Sequence, residues 1–461
     1  MAKKPKIQKK IKKVKMAARN QRAKAAPSKP RVFQTPRGMK DILPGDYKYW
    51  HFVKNKAENF ANNYGYEFIE TPILEETALF NRAVGGETDI VSKEMFSFID
   101  RGGENVCLRP EATASIARAY IQHGMLNLPQ PVKFFYFGQM FRHERPQAGR
   151  LRAFHQFGFE TLGDGNAVID AEIIFLVYNL LQDLGLKTNV QINSIGCPRC
   201  RESYKNKLVN YYRDRRSSLC EECKKRLVKN PLRLLDCKEE GCEPLKEGAP
   251  QIVDYLCDDC KNHFVRVLEY LDDAAVPYNL NPYLVRGLDY YTKTVFEFFA
   301  EENQAAGQKA EALGGGGRYD NLVEILGGRP TPACGVAMGV ERLVTKIKEN
   351  NVDVPPLTAP DIFLAQLGEQ ARKKSFALIE DLRRAGFYIT HGLTKEGLKK
   401  QLEIANKLGA RYALILGQKE VLDGTIIIRD MEGGSQEIVD LVKIVQEMKK
   451  KLMNGQATNS K

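Results

Sequence analysis

The sequence predicts an α+β chain: an antiparallel-sheet domain, a small insertion within it, and a separate α/β domain toward the C-terminal end. Three observations lead there. Residues 132–137 and 150–160 read as strands joined through a Pro-Gly turn region at 146–149, which is a hairpin signal. Eight of the ten cysteines fall within 197–260, in a segment of about 194–273 that interrupts the strand pattern. After the proline-rich PPLTAP at 355–360, strand and helix patterns alternate in short pieces.

The elements follow in chain order. Residues 1–31 hold ten Lys and three Arg with no Asp or Glu, so the whole formal charge of +13 sits there and the remainder carries 57 basic against 57 acidic residues. Such a block is expected to be disordered and to attract polyanions by counterion release; RNA is the natural partner. A plain solubilising tail and a transit peptide are the competing readings, the second weakened by a single Ser28. Residues 49–63 read as an amphipathic helix, YEFIETPIL as strand, and Gly85, Gly86 and Glu87 as a polar loop. Strands are expected at 96–100, 106–108 and 132–137, and helices at 113–123 and 167–184, the latter ended by Gly185. Strand signals resume at 295–299, and Gly314 to Gly317 mark close backbone approach. Beyond the linker come DIFLAQL strand, a helix over 369–385, FYIT strand, a helix over 395–408, RYALILG and TIIIRDM strands, and a last helix from Gln436. At 461 residues and 43% hydrophobic content the chain can build several cores, and no run of 18 apolar residues exists to span a membrane.

The hairpin carries the chemistry. Side chains alternate along a strand, so Arg150, Arg152, Phe154, Gln156, Gly158 and Glu160 share one face, with Leu151, Ala153, Phe157 and Phe159 on the other. Burying unpaired charge costs several kcal/mol, about as much as folding leaves to spare, so a sheet core does not carry such a set without a use. A site for a nucleotide and a polar small molecule does: Arg for phosphate, Phe for a base plane, Gln and Glu for hydrogen bonds.

The cysteines form a second constellation: Cys197-x2-Cys200, Cys220-x2-Cys223, Cys237-x4-Cys242 and Cys257-x2-Cys260. Two thiolates from one tight turn can reach the same tetrahedral ion, and two such pairs complete a closed four-sulfur site. Structural Zn2+, one or two ions, is therefore expected, ahead of iron-sulfur clusters or disulfides in a chain read as cytoplasmic. Spacing leaves open which pair joins which. Cys107 and Cys334 read as buried apolar residues.

FRHERPQAGRLRAFHQFGFE at 141–160 resembles motif 2 of the class II aminoacyl-tRNA synthetases in the histidyl form. LVRGLDYYTKTVFEF at 284–298 resembles the histidine-binding signature of histidyl-tRNA synthetases and their paralogues. TPRGMKDILPGD (35–46), YGYEFIETPILEETALF (64–80, with Pro72), LRPEATASIAR (108–118) and GVAMGVERLV (335–344) resemble the family's opening, motif 1, amino-acid loop and motif 3. The resemblance implies a class II synthetase antiparallel-sheet catalytic domain over 32–193 and 274–350, and a cysteine-rich inserted domain over 194–273. A linker would follow at 351–359, then an α/β anticodon-binding domain over 360–453, with tails at 1–31 and 454–461. It implies L-histidine, ATP with Mg2+, and tRNA as ligands, and a homodimer through motif 1.

Carried over position by position, Arg142 and Arg286 would hold the α-phosphate and act as catalytic residues, with Arg342 at the γ-phosphate. Phe154 would stack on adenine, with Glu144 near its amino group. Glu111, Thr113 and Gln156 would hold the ammonium and carboxylate of histidine. Glu160 and Tyr291 would bracket the imidazole, with Arg286, Tyr290, Arg318 and Tyr319 completing the pocket. Gln147 and Arg150 would meet the tRNA acceptor end. Ala112 stands where the family commonly has Gly. His143 takes no catalytic role. No G-x-x-x-x-G-K-[ST] loop is present, so a triphosphate must be held by side chains. Two other classes keep parts of the pattern: a synthetase-like regulatory subunit of ATP phosphoribosyltransferase, and a non-catalytic zinc-stabilised RNA-binding protein. Joint retention of the arginines, the histidine signature and the terminal α/β domain disfavours both.

Overall fold

The computed structural model describes residues 32–86, 88–144, 150–301 and 312–456. They fall into two compact units, Met1–Asp353 and Val354–Lys461. Eleven strands lie in the first: Glu67–Phe68 (β1), Leu74–Glu76 (β2), Ser97–Ile99 (β3), Asn105–Leu108 (β4), Val132–Phe141 (β5), Ala153–Leu162 (β6), Thr188–Ser194 (β7), Tyr278–Leu280 (β8), Thr292–Ala300 (β9), Ala312–Arg318 (β10) and Ala333–Gly339 (β11). Eight form one sheet in the order β1-β5-β6-β11-β10-β9-β7-β8, parallel only at its two outer pairs, and β2-β4-β3 form a small antiparallel sheet.

The pattern Val-x-Phe-Phe-Tyr-Phe predicted a strand at 132–137; pairing with β6 carries it on to Phe141, through Gly138 and Gln139. One face of β6 is hydrocarbon. Phe159 packs between Tyr66 (ring centroids 5.1 Å) and Phe135 (5.3 Å), and on the same side the His155 amide is held by Glu341 of the helix Val340–Glu349 (2.8 Å). Phe154 and the polar Gln156 and Glu160 take the other face, as alternation requires. YEFIETPIL does not form one strand. Pro72 lacks the N–H that a ladder needs, and the segment splits into β1 and β2, which belong to different sheets.

The insertion does not build its core alone. Leu208, Tyr212, Leu227, Leu234 and Leu235 lie in the same buried cluster as Tyr120, Tyr290 and Tyr291. No helix among the described residues is long and apolar enough to cross a membrane.

The second unit has five strands, Ile362–Gln366 (β12), Ile389–His391 (β13), Tyr412–Leu416 (β14), Thr425–Asp430 (β15) and Gln436–Asp440 (β16), in the order β13-β12-β14-β15-β16. Helices Glu369–Arg384, Leu398–Lys407 and Ile444–Gln456 accompany the sheet, whose two faces feed separate apolar clusters. The final helix starts later than the sequence suggests. Residues from Gln436 to Asp440 extend to pair antiparallel with β15, because Ile438 and Val439 suit a pleated edge better than a helix start.

Candidate active site

The polar face of β6 is the floor of the site. The register places Glu160 beside Gly335, and that glycine pairs with Gly317; Gly158 lies beside Ala337, which pairs with Gly315, and Gly315 with Glu297. The two middle strands of β6-β11-β10-β9 thus present a floor almost free of side chains, with Glu160 of β6 on one side and Glu297 of β9 on the other. The glycines are needed for closeness. A Cβ on Gly335 would stand 1.6 Å from Glu160 Oε2, and one on Gly315 would stand 2.8 Å from Arg286 Nη1.

Glu160 is 1% exposed and gripped from two sides: Thr113 Oγ1 donates to Oε1 at 2.7 Å and Tyr319 Oη to Oε2 at 2.5 Å. Thr113 is the first residue of the helix Thr113–Gln122. Its amide and that of Ala114 donate to the Glu111 carboxylate at 2.7 and 3.0 Å, an acidic cap on the positive end of the helix. Tyr290 Oη reaches the same carboxylate at 3.4 Å. Ala112 has φ −100°, a conformation open to any residue, so the departure from Gly costs no strain here. Burial pushes the Glu160 carboxyl up to about 8, against the pull of its two hydroxyl donors and with the nearby Glu111 adding to the rise. Glu111 is raised by burial as well.

The Tyr290 ring lies tilted against Tyr291 at 4.7 Å and edge-on to Tyr319 at 5.7 Å, and all three are buried. Arg286 pairs with Glu297 and lies 5.5 Å from the Tyr291 ring. Arg142 follows the end of β5; its Nε donates to the Pro110 carbonyl at 2.9 Å and its guanidinium covers Phe154 at 5.4 Å. Arg342, on the helix Val340–Glu349, donates to the Ala312 carbonyl at the start of β10. The three arginines therefore border one floor, entering from β5, from the chain before β9 and from the helix after β11. β6 and β9 lie three strand steps apart, about 14 Å across.

Other expected residues sit differently. Arg318 is fully buried and turned to the far side: Nε and Nη2 bind Asp170 (2.9 and 2.5 Å), Nη1 donates to Asp320 and the Asp164 carbonyl, and Nη2 also to the Asn166 carbonyl. Its guanidinium is committed to that network, and although burial opposes it, Arg318 holds the Asp170 carboxyl down at about 2. Arg318 supports the neighbouring Tyr319 rather than lining the pocket. Glu144 and Arg150 pair with each other at 2.8 Å, and Gln147 lies outside the described residues. Sequence reasoning missed Tyr136, which faces the floor opposite Gly158. The Tyr136 hydroxyl, Gln156 Oε1 and Arg286 Nε are buried with no hydrogen-bond partner among the described residues, three open valences on one surface. The signal was there: a lone hydroxyl in KFFYFG, on the face opposite Phe135 and Phe137.

The cysteines resolve into two groups, Cys197, Cys200, Cys257 and Cys260, and Cys220, Cys223, Cys237 and Cys242, with sulfurs in each group all within 4.8 Å of one another. The outermost pairs join each other and the inner pairs join each other. Cys197, Cys220 and Cys257 each stand at the N-cap of a helix (Pro198–Arg213, Glu221–Lys229 and Asp258–Asp273), where the backbone dipole favours thiolate, and the Arg199 side chain helps hold the Cys257 thiol down at about 6. Cys107 and Cys334 are buried elsewhere.

Comparison with known proteins agrees with this geometry. The family model for histidyl-tRNA synthetase matches residues 38–200 and 228–343, and that for an anticodon binding domain matches 361–451. A histidine–tRNA ligase of Dehalococcoides mccartyi (strain 195) is 47% identical over 422 residues, 91% of this chain and 100% of its own length. One from Caldicellulosiruptor bescii is 45% identical over 420 residues, 91% of this chain and 99% of its own. The crystal structure of the S. aureus histidyl-tRNA synthetase superposes with a TM-score of 0.76 at 34% identity, covering 91% of this chain and all of that one. The chain belongs to the histidyl-tRNA synthetase family.

Proposed function

We propose a residue-level account of how this chain carries out its family's reaction. The chain is an ATP-dependent aminoacyl-tRNA ligase: it activates histidine with ATP to histidyl-adenylate and pyrophosphate, then transfers histidine to the 3′ end of its tRNA. The observation that carries the residue assignment is the buried Glu160 carboxyl, held by Thr113 and Tyr319 beside a glycine floor bordered by arginines.

In this reading Glu160 accepts from one imidazole nitrogen while Tyr291 donates to the other, since a neutral imidazole needs one of each. Glu111, Gln156 and Tyr136 take the ammonium; the orphaned Gln156 oxygen supports this. Tyr290 and Tyr319 hold the two carboxylates in place. Arg286 turns the histidine carboxylate toward the α-phosphate, Arg142 binds that phosphate from the opposite side, and Arg342 meets the γ-phosphate. Phe154 stacks on adenine with Glu144 at its amino group. Charge gathering on the α-phosphate oxygens meets fixed guanidiniums that need no rearrangement, the main source of rate in such a displacement. Mg2+ accompanies ATP in this family, and Glu297, beside Arg286 on β9, is a hard oxygen donor able to serve it. Arg150, with Gln147, is assigned to the tRNA acceptor end, and the basic 1–31 segment to sequence-independent RNA contact.

Each four-cysteine group fits a closed tetrahedral ion, and we assign Zn2+ to both as structural metal. We also assign a two-fold interface to the motif 1 region, supported by exposed Phe68 (58%), Ile73 (44%), Leu74 (48%), Phe98 (47%) and Ile99 (73%) around β1–β3. ATP–pyrophosphate exchange tests the central reading: exchange that depends on histidine and on no other amino acid is expected, and none with folded, metal-replete protein overturns it.

A further inference from the structure

The insertion reaches the substrate loop at several points, and each contact lies near a cysteine of the two clusters. Residues 286–291 carry Arg286, Tyr290 and Tyr291 and lead into β9. Cys223 and Cys237, which share a cluster, bound a span that holds Arg226, Asn230 and Arg233. From that span Arg233 Nη2 stands 3.5 Å and Arg226 Nη2 3.7 Å from Asp89 Oδ2, and Arg233 Nη1 lies 3.3 Å from where a Gly287 Cβ would be. Asn230 Nδ2 donates to Asp289 Oδ1 at 3.0 Å, and the Asp289 amide donates to the Val84 carbonyl at 3.1 Å. On the other side Arg201, next to Cys200 of the second cluster, donates Nη1 to the Tyr291 carbonyl at 2.9 Å.

We propose that metal held by Cys220, Cys223, Cys237 and Cys242 sets the affinity for histidine, by fixing Asn230 and Arg233 against the 287–291 segment. This rests on the reading of the cluster as a metal site. The span from 223 to 237, which takes in most of the helix Glu221–Lys229, has both its ends at one four-sulfur site. Closing it there removes chain freedom that Arg233 and Asn230 would otherwise lose each time they engage the loop. Leu227, Leu234 and Leu235 keep the span anchored in the shared core, so losing the ion loosens the arm without dismantling the sheet. The dependence is selective. The arm meets the tyrosine end of the site, where histidine binds; Arg142 and Arg342 come from β5 and from the helix Val340–Glu349, and the Arg286 guanidinium, though on the segment the arm touches, is held separately by Glu297 of β9.

The test uses the full chain, its Cys237→Ser and Arg233→Ala variants and the double variant, with metal per chain by native mass spectrometry and steady-state exchange kinetics. Cys237→Ser is expected to hold one ion fewer than the parent and to raise the histidine KM about tenfold, with ATP KM and kcat within about twofold. Arg233→Ala should keep the full metal count and show the same selective rise, and the double variant should be no worse than either single change. A parent chain with no bound metal overturns the metal reading and this inference with it. Loss of one ion with an unchanged histidine KM leaves the metal reading standing and overturns the coupling. If Cys237→Ser does not fold, Arg233→Ala decides: equal losses for histidine, ATP and kcat contradict a positioning role.

Discussion

β6 and β12 occupy the same kind of place, each an interior strand flanked on both sides, yet they are built to opposite rules. Ile362, Phe363, Leu364 and Ala365 of β12 are fully buried hydrocarbon, and its one polar side chain, Gln366, stands at the strand's end: the backbone N–H and C=O there are both taken by the Gln401 amide, at 3.0 and 2.8 Å, and only Gln366 Oε1 has no partner among the described residues. β6 buries Glu160 and leaves the Gln156 oxygen without a partner, on a floor emptied of side chains by glycine. A strand that only supports a domain keeps polar side chains to its end. One that binds leaves them aimed at a ligand, and the cost of burying them is what the ligand's matching groups offset.

The comparison predicts different kinds of damage in the two units. Arg286→Ala is expected to lower the exchange kcat by about 10²–10³-fold while weakening histidine binding far less; comparable losses in both would remove the phosphate role. Glu160→Gln should raise the histidine KM by about 100-fold and leave the ATP KM near its parent value, since the amide puts an NH2 donor where one of two accepting carboxyl oxygens now stands. In the second unit, Gln401→Leu leaves the Gln366 amide and carbonyl buried and unpaired. It should cost about 1–3 kcal/mol in thermal or urea unfolding of that unit, with histidine-dependent exchange unchanged.

A subtler difference appears with pH. Glu160 is raised to about 8 in the fold, above the unfolded carboxyl value of about 4.5. The folded form binds the extra proton, so this group's contribution is fully present below about 4.5 and is lost as pH rises through about 8. Ligand-free protein should therefore lose melting temperature across that window more steeply than Glu160→Gln does. Parallel curves for the two would show that the carboxyl is not held neutral. The smallest effect is expected for Tyr136→Phe, a few-fold rise in histidine KM from loss of one hydroxyl, about 0.5–1.5 kcal/mol.

Much of this was legible in the chain. The period-two alternation of Phe154, Gln156 and Glu160 against Phe157 and Phe159 was enough to separate the polar face from the hydrocarbon one, because a strand fixes its faces by count alone. The cysteine spacing gave the knuckles, while their partners were not readable, since which turns meet depends on how helices Pro198–Arg213 and Asp258–Asp273 pack. Arg318 was misplaced for a similar reason. The residue beside it, Tyr319, binds Glu160, and the acid that captures it, Asp170, lies 148 residues away on the helix Ala167–Asp183. Residues 436–440 carried enough helical spacing to mislead, and only pairing with β15 decides for a strand. Tyr136 was hidden among aromatic residues of β5, where hydropathy speaks louder than a single hydroxyl.

In this assignment Glu160 and Tyr291 recognise the ring nitrogens, and the most direct measurement compares exchange driven by L-histidine with exchange driven by β-(2-thienyl)alanine, a five-membered ring of similar size without N–H. A pocket of buried polar partners should reject the analogue by about 10⁴-fold or more in kcat/KM, because both protein groups would be left unpaired. Discrimination of tenfold or less would mean that the cavity reads shape alone, and the assignment of Glu160 and Tyr291 to the imidazole would be wrong.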